Sequence, residues 1–544
     1  MALADSVVKQ LDPQVRSYIE DLEQRTESLS HENEQLTQQT EFLSEEIQSL
    51  EEKLQLALFK RFGRSSERST VASGQADLFS EADDTVAENE ESETKDTVTV
   101  AAHTKKKPGR KAIDPALPRF ERVIEISDED TMCACGHQLV RIGEEVTERV
   151  QVIPEQIWVD RIVRPKYACK NCEGSGDESK PAVRIAPVEP TVVPKGIATA
   201  SLIAFILANK FVDHLPFYRQ EKRFERIGIT ISRQDMSNWT VRSAELLQPL
   251  IDRFRTLIRG GPVVNIDDTR VQVMNEPDRA DTANSFMWLA RGGPPESPVT
   301  LYSYSQTRST TFLRSLLSGA TLYLQGDAYR AHETFTAEEP GITRVGCYAH
   351  ARRKFHEAAQ ASKKTGAAHE GLKYISQLYQ IERELRDQDL SDDEFLQRRR
   401  EHIEPVFERF HRWLLKKKQT VVPSSLIGKA VNYTLDEWSA LIRYIEHPAL
   451  TPDNNAAENA IRPFVLGRKN WLFSGSPNGA AASCAIYSLI ETAKQNDLNP
   501  FAYLYYALDR APRITSDADW DELLPSNLTQ KIISANYPIP GRLV

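Results

Sequence analysis

Apolar side chains recur at every seventh place near the start of the chain, at Leu22, Leu29, Leu36, Leu43 and Leu50. Three residues before each stand Ile19, Thr26, Asn33, Thr40 and Ile47, and Leu54 continues that series. A sustained 3.5-residue apolar period predicts an N-terminal coiled coil over 14–60, and Asn33 at an inner position favours a dimer in one register. The competing reading is a long amphipathic helix packed on its own protein. Over 65–112 large apolar residues give way to Ser, Thr, Asp and Glu, which predicts a disordered acidic linker. The linker ends in a basic arm, with Lys105, Lys106, Lys107, Arg110 and Lys111 around Pro108-Gly109. Such an arm can neutralise phosphates in a DNA minor groove or simply be a solvated linker end.

Residues 113–190 read as a small β module. Residues 196–258 read as helical, with a turn centred on Gly228 and a second helix beginning near Ser232. Arg219, Lys222, Arg223, Arg226 and Arg233 surround that turn, so the stretch is helix-turn-helix-like, a pattern that DNA-binding and plain helical domains share. Short β-rich runs follow: Val263–Asp268, Arg270–Met274, Phe286–Ala290 and Val299–Ser305. A helix at Thr310–Leu317, a strand at Thr321–Asp327 and another at Thr343–Tyr348 leading into a basic helix give the order three antiparallel strands, helix, strand, helix, strand, a mixed α/β layout over 259–350, resumed at 450–508. Helical sequence fills 351–449 as an insertion, and 509–544 forms a C-terminal tail.

The chain has 544 residues, 40% apolar and 27% charged, and a formal charge of −10. That charge is uneven: residues 1–100 hold 9 Lys/Arg against 23 Asp/Glu, a balance of −14, and the remainder holds 59 against 55, a balance of +4. Net acidity therefore does not exclude DNA as a partner. The longest uncharged apolar run, Ile197–Ala208, falls short of the ~20 residues a membrane helix needs, and the N terminus shows no secretory pattern. These features predict a cytoplasmic protein with no membrane association. Four of the six cysteines form two tight pairs, Cys133/Cys135 and Cys169/Cys172. Two thiol pairs about 34 residues apart suit one structural Zn²⁺; four unligated thiols are the alternative. Cys347 and His350 have a metal-like spacing but offer only two ligands, which favours a structural role, and Cys484 among Ala and Ser reads as a core residue.

Three acids stand at telling places. Asp267 or Asp268 ends the first strand, Asp327 ends the fourth, and Glu458 shares a helix face with Arg462, with Asp453 or Asn454 as the cap. In a ribonuclease-H-like topology the first and fourth strands are neighbours, so these carboxylates can converge. Hard oxygen ligands suit two Mg²⁺ or Mn²⁺ ions of the kind that drive phosphoryl transfer. With 78 acidic residues in the chain, surface solvation is the plain alternative for any three. No Gly-x-x-x-x-Gly-Lys-Ser/Thr phosphate loop is present.

From Asp267 onward the chain resembles the transposases of the insertion sequence 66 family. The family's Asp-Glu-Thr motif with alternating valines matches Asp267-Asp268-Thr269 with Val271 and Val273; LQGDAY carries Asp327; and the Asp-Asn-Asn motif through Ile-Arg-Pro-Phe matches Asp453 to Phe464. GRKNWLFSGS, FKRFGRSSER, RPKYACKNC and KFVDHLPFYRQ extend the likeness over nearly the whole chain. Asp268 replaces the usual glutamate, and Asn459 stands where arginine is common. The resemblance implies a ribonuclease-H-like catalytic core with Asp267, Asp327 and Glu458 as the DDE triad, cleaving 3′ ends and joining them to target DNA. It implies double-stranded DNA as partner, a homodimer or higher oligomer, and two small accessory proteins; Arg352, Arg353, Arg462, Arg468 and Lys469 are candidate DNA contacts, with a solvated helix surface as the alternative for Arg352 and Arg353. It also places the protein in a bacterial cytoplasm. A nuclease that cuts without joining, and a zinc-dependent DNA-binding regulator with a decayed core, are the alternative functions.

Overall fold

A computed structural model describes residues 12–62, 157, 159, 161–168, 183–185, 187–194, 196–361 and 366–535. The expected linker, the basic arm and the four paired cysteines lie outside the described residues. The chain divides into two compact units, one of 1–77 with 189–544 and one of 78–188. Within the second, β1 (Lys166–Ala168) and β2 (Val183–Ile185) pair antiparallel.

In the larger unit the heptad segment forms one helix, α1 (Pro13–Phe62). Its leucines point to solvent: Leu22, Leu29, Leu36, Leu43 and Leu50 are all about half exposed. The helix touches the rest of the unit toward its C-terminal end, where Glu52 Oε2 accepts the Leu426 N–H at 2.8 Å.

Four helices precede the sheet: α2 (Ala200–Phe211), α3 (Phe217–Arg226), α4 (Arg233–Leu246) and α5 (Gln248–Gly260). Gly228 turns between α3 and α4 with φ +82°, a conformation that costs glycine little. Ser232 caps α4 by accepting the Asp235 N–H. These helices share one apolar core with the sheet through Phe211, Phe254 and Ile258, so the helical region is not a separately cored body.

The sheet is mixed. β3 (Val263–Val273) is central, β4 (Asn284–Gly292) and β5 (Val299–Ser305) extend it antiparallel on one side, and β6 (Leu322–Gln325) and β7 (Ile342–Val345) extend it parallel on the other. The spatial order β5-β4-β3-β6-β7 makes the first and fourth strands neighbours. Three sequence expectations need correction. The runs 263–268 and 270–274 are one continuous strand, because Thr269-Arg270 holds neither Gly nor Pro to break it. Asp267 therefore sits mid-strand, and Asp327 lies two residues beyond β6 rather than at its end. Tyr348 belongs to the helix that follows, not to β7.

Between α6 (Thr311–Leu317) and the second half of the core come α7 (Arg330–Glu338) and α8 (Tyr348–Ala361), which leads into the insertion. The insertion's long helices α9 (Ala367–Arg386) and α10 (Asp392–Lys418) and the shorter α11 (Leu426–Asp436) enclose a second core around Phe355, Ile403, Phe410 and Tyr444. The chain returns through α12 (Asn455–Trp471), and β8 (Phe473–Ser474) adds to the far end of β3. Helix α13 (Pro477–Gln495) then covers the free edge of β5. Ser488 Oγ accepts the Tyr302 N–H at 2.8 Å and Thr492 Oγ1 accepts the Thr300 N–H at 3.1 Å, so hydroxyls on α13 occupy donors that a bare edge would offer to other strands. The expected C-terminal tail is docked: Leu523, Leu528 and Ile533 are buried, and Arg253 pairs with Asp517 and Asp521.

Candidate active site

Alternation along β3 sends consecutive aspartates to opposite faces. Val264 and Ile266 are fully buried on one face, the face to which Asp268 also belongs. Asn265, Asp267 and Thr269 lie on the other, beneath α12. There Asn265 Nδ2 donates to Asn454 Oδ1 at 3.0 Å and Arg468 Nη1 donates to Thr269 Oγ1 at 3.2 Å. Asp267 is between these two cross-links, and Glu458, in the first turn of α12, faces it.

The approach to α12 is tightly held. Asn454 Nδ2 donates to the Ile266 carbonyl at 2.7 Å, so its side chain ties helix to strand instead of capping the helix. Asp453 Oδ1 accepts the Asn455 N–H at 3.1 Å and thus serves the first helical donor. Gln325, fully buried, donates to the Thr451 carbonyl at 2.7 Å and accepts from Asn265 at 3.0 Å. Tyr379 of α9 hydrogen-bonds Asp453, which brings the insertion into the support of this segment.

Asp327 is on the loop after β6. Its Oδ1 accepts the Tyr329 N–H at 3.1 Å, and its carbonyl lies 3.2 Å from His332 Nδ1. Arg308 bridges two acids: Nε donates to Asp268 Oδ1 at 2.7 Å and Nη2 to Asp327 Oδ2 at 3.5 Å, while its guanidinium stacks 3.7 Å from the Tyr329 ring centroid. Glu458 Oε2 lies 3.8 Å from Arg353 Nη2, and Oε1 lies 3.9 Å from His350 Nδ1.

Electrostatics separate the two aspartates of β3. Burial pushes the Asp267 carboxyl up to about 7, and the charges of Glu458, Asp268 and Asp327 push the same way against the Asp268 N–H that bonds it. Burial also raises Asp268, but the Arg308 guanidinium opposes that shift. Asp268 is thus already partnered by a cation, and Asp267 faces other acids. Burial lowers His332 and His350, which favours their neutral imidazoles.

The structure therefore brings Asp327 and Glu458 each within electrostatic reach of Asp267, with Arg353 beside Glu458 and Arg468 bonded to Thr269. Arg352 lies on α8, and Arg462 and the exposed Lys469 lie on α12. Arg219, Lys222, Arg223 and Arg226 line one shallow cleft on α3, away from the acids in sequence. Arg223 is partly committed there, since Nη1 donates to Asn209 Oδ1 at 3.1 Å. Arg233 begins α4 and is exposed. Sequence reasoning missed Arg308, which belongs to no motif and meets its acids only through folding. It also left Cys347 and His350 as two candidate ligands; the structure brings Glu458 beside them, with the donor atoms of the three residues within 4.8 Å of one another.

Comparison with known proteins follows the same segments. The Transposase IS66 family matches residues 195–482, which include the sheet, the insertion and α12. The chain belongs to that family. Further matches are to "Transposase C of IS166 homeodomain" over 49–122, the zinc-finger binding domain of transposase IS66 over 130–173, and the IS66 C-terminal element over 488–526. Two proteins of Sinorhizobium fredii (strain NBRC 101917 / NGR234) are similar along most of their length. The uncharacterized protein y4jD is 33% identical over 425 residues, 76% of this chain and 80% of that protein. The uncharacterized protein y4hP is 30% identical over 433 residues, 76% of each. The family makes this a nucleic-acid-processing transposase with a divalent-metal requirement and a zinc-finger module. Among the described residues no helix is long and apolar enough to cross a membrane.

Proposed function

We propose that Asp267, Asp327 and Glu458 are the catalytic acids of a ribonuclease-H-like core that cleaves 3′ ends of a mobile element and transfers them into target DNA. One observation carries this reading: Asp267 on the central strand is coupled electrostatically to Glu458 on α12 and to Asp327 beyond the adjacent parallel strand. The donor set is all carboxylate oxygen, and burial, with smaller contributions from the neighbouring acids, raises Asp267, so divalent Mg²⁺ or Mn²⁺ fits it. Such ions, when bound, activate the attacking oxygen and stabilise the leaving one.

The chain's own residues supply position and charge. Asp267, which interacts electrostatically with both other acids, would hold divalent metal together with them. Arg308 holds the Asp327 carboxylate in place and removes Asp268 from competition for the same role. Arg353 and Arg468, at the margin of the site, would hold substrate phosphates, as would Arg352, Arg462 and Lys469 along the same helices. The α3 cleft with Arg219 and Arg223, Arg233 on α4, and the basic arm Lys105–Lys111 would also bind DNA. Cys133, Cys135, Cys169 and Cys172 would hold one structural Zn²⁺ in the zinc-finger module. The exposed leucine stripe of α1 would pair with a second copy as a coiled coil, which lets two ends be held together.

Purified protein incubated with Mg²⁺, DNA carrying the element's ends and a target plasmid tests this. Joined products are expected; cuts without joining would favour a nuclease, and binding without cutting a regulator. Asp327→Asn is expected to abolish both cleavage and joining while end binding stays at the wild-type level. Cleavage at the wild-type rate by that variant would remove Asp327 from the mechanism.

A further inference from the structure

Cys347 and His350 sit where β7 passes into α8, and Glu458 reaches them from the first turn of α12. Cys347 is buried, with 2% of its surface exposed. His350 Nδ1 and Glu458 Oε1 are both shielded from solvent, and neither has a hydrogen-bond partner. They stand 3.9 Å apart, too far to bond one another. Two unsatisfied polar atoms aimed at one spot beside a thiol are costly to bury, and a shared partner would remove that cost.

The chemistry of the three donors indicates that partner. A sulfur, an imidazole nitrogen and a carboxylate oxygen form a borderline-soft set that suits zinc and not magnesium. Around a tetrahedral zinc such donors lie roughly 3.3–3.6 Å apart. Here all three already lie within 4.8 Å of one another, so small side-chain movements close the set. The Asn454 N–H donates to Cys347 Sγ at 3.2 Å, a contact that stabilises a thiolate and orients it. Arg353 lies near the other Glu458 oxygen, which leaves Oε1 available.

We propose that Cys347, His350 and Glu458 form a binding site for one thiophilic divalent cation of the zinc class, separate from the zinc-finger cysteines. On binding, Cys347 releases its proton to solvent and ligates as thiolate, and a fourth position stays open. The ion clamps the start of α8 to the start of α12. The site itself stands on these three donors alone. Its consequence for catalysis rests on the role proposed above for Glu458, whose carboxylate would then serve a soft ion through Oε1 and hard ions on its other side.

Full-length protein stripped of metal and reloaded with Co²⁺ alone provides the test, with bound cobalt counted by elemental analysis. Wild-type protein is expected to hold one more ion per chain than Cys347→Ala and than His350→Gln, and Cys347→Ala is expected to show weaker thiolate-to-cobalt absorption than wild type, the remainder coming from the zinc-finger cysteines. Equal cobalt in wild type and variants would overturn the site and leave only a bridging water there. Where Cys347→Ala fails to fold, His350→Gln on the partly exposed first turn of α8 decides alone by the same count. The count requires no DNA. A protein that takes up the additional cobalt yet never joins ends would sink the strand-transfer reading and leave this site standing, and the converse result would do the opposite.

Discussion

Arg308 shows how much one side chain can organise. Its guanidinium reaches two acids and a tyrosine ring at once, and Tyr329 returns a hydrogen bond from its hydroxyl to the Arg308 carbonyl at 2.5 Å. Arg308→Ala is expected to lower end cleavage by about 10–100-fold, the range typical for groups that orient active-site ligands, with DNA binding unchanged. Single-turnover cleavage measures this, and an unaltered rate would make the bridge purely structural. Asp267 titrates near 7 in the fold, above the ordinary carboxylate range, so folding favours its neutral form. Stability from this group is complete below about pH 4 and is lost as pH rises toward 7, by at most about 1.4 kcal/mol per pH unit. Metal-free Asp267→Asn should therefore be more stable than wild type at about pH 8, with the gap shrinking at about pH 5. Urea midpoints at both values would show it, and a constant gap would contradict the assigned burial and repulsion.

Among the elements, the insertion does more than fill space. Arg399 of α10 is fully buried; it makes a two-pronged pair with Glu382 of α9 and donates to the carbonyls of Tyr444, His447 and Leu450. Those carbonyls lie on the segment that leads to Asp453 and Glu458, so α9 and α10 set the path by which the third acid arrives. Arg399→Ala leaves the buried Glu382 with Arg386 as its one remaining ion-pair partner among the described residues, and should cost about 3–5 kcal/mol. Chemical denaturation of the full chain would measure that loss, and a change under about 1 kcal/mol would mean that apolar packing alone holds the insertion. The insertion's helical character was readable from composition, but its purpose was not, because the contacts of Arg399 to 444–450 join residues 45–51 positions apart.

For the whole molecule, the half-exposed leucines of α1 form a stripe that no other part of the described chain covers. Replacing Leu36 and Leu43 together with glutamate should convert a dimer into a monomer in analytical ultracentrifugation, since charges at inner heptad positions oppose the paired state. An unchanged mass would place the subunit contact elsewhere.

Local periodicity settled much of this protein from its sequence. The seven-residue leucine repeat specified α1, the turn at Gly228 and the helix start near Ser232 marked α3 and α4, and the three candidate acids stood out because each lies in a distinctive run of residues. Strand alternation also required Asp267 and Asp268 to face opposite ways. What it could not say was which face α12 would cover, and that choice separates the acid that meets Glu458 from the acid that meets Arg308. The Asn265–Asn454 cross-link spans 189 positions, and the Cys347–His350–Glu458 cluster spans more than a hundred. Such meetings depend on how strands order themselves and how helices pack across them. They arise from burial summed over the whole core, which leaves no periodic signal in any one stretch of chain.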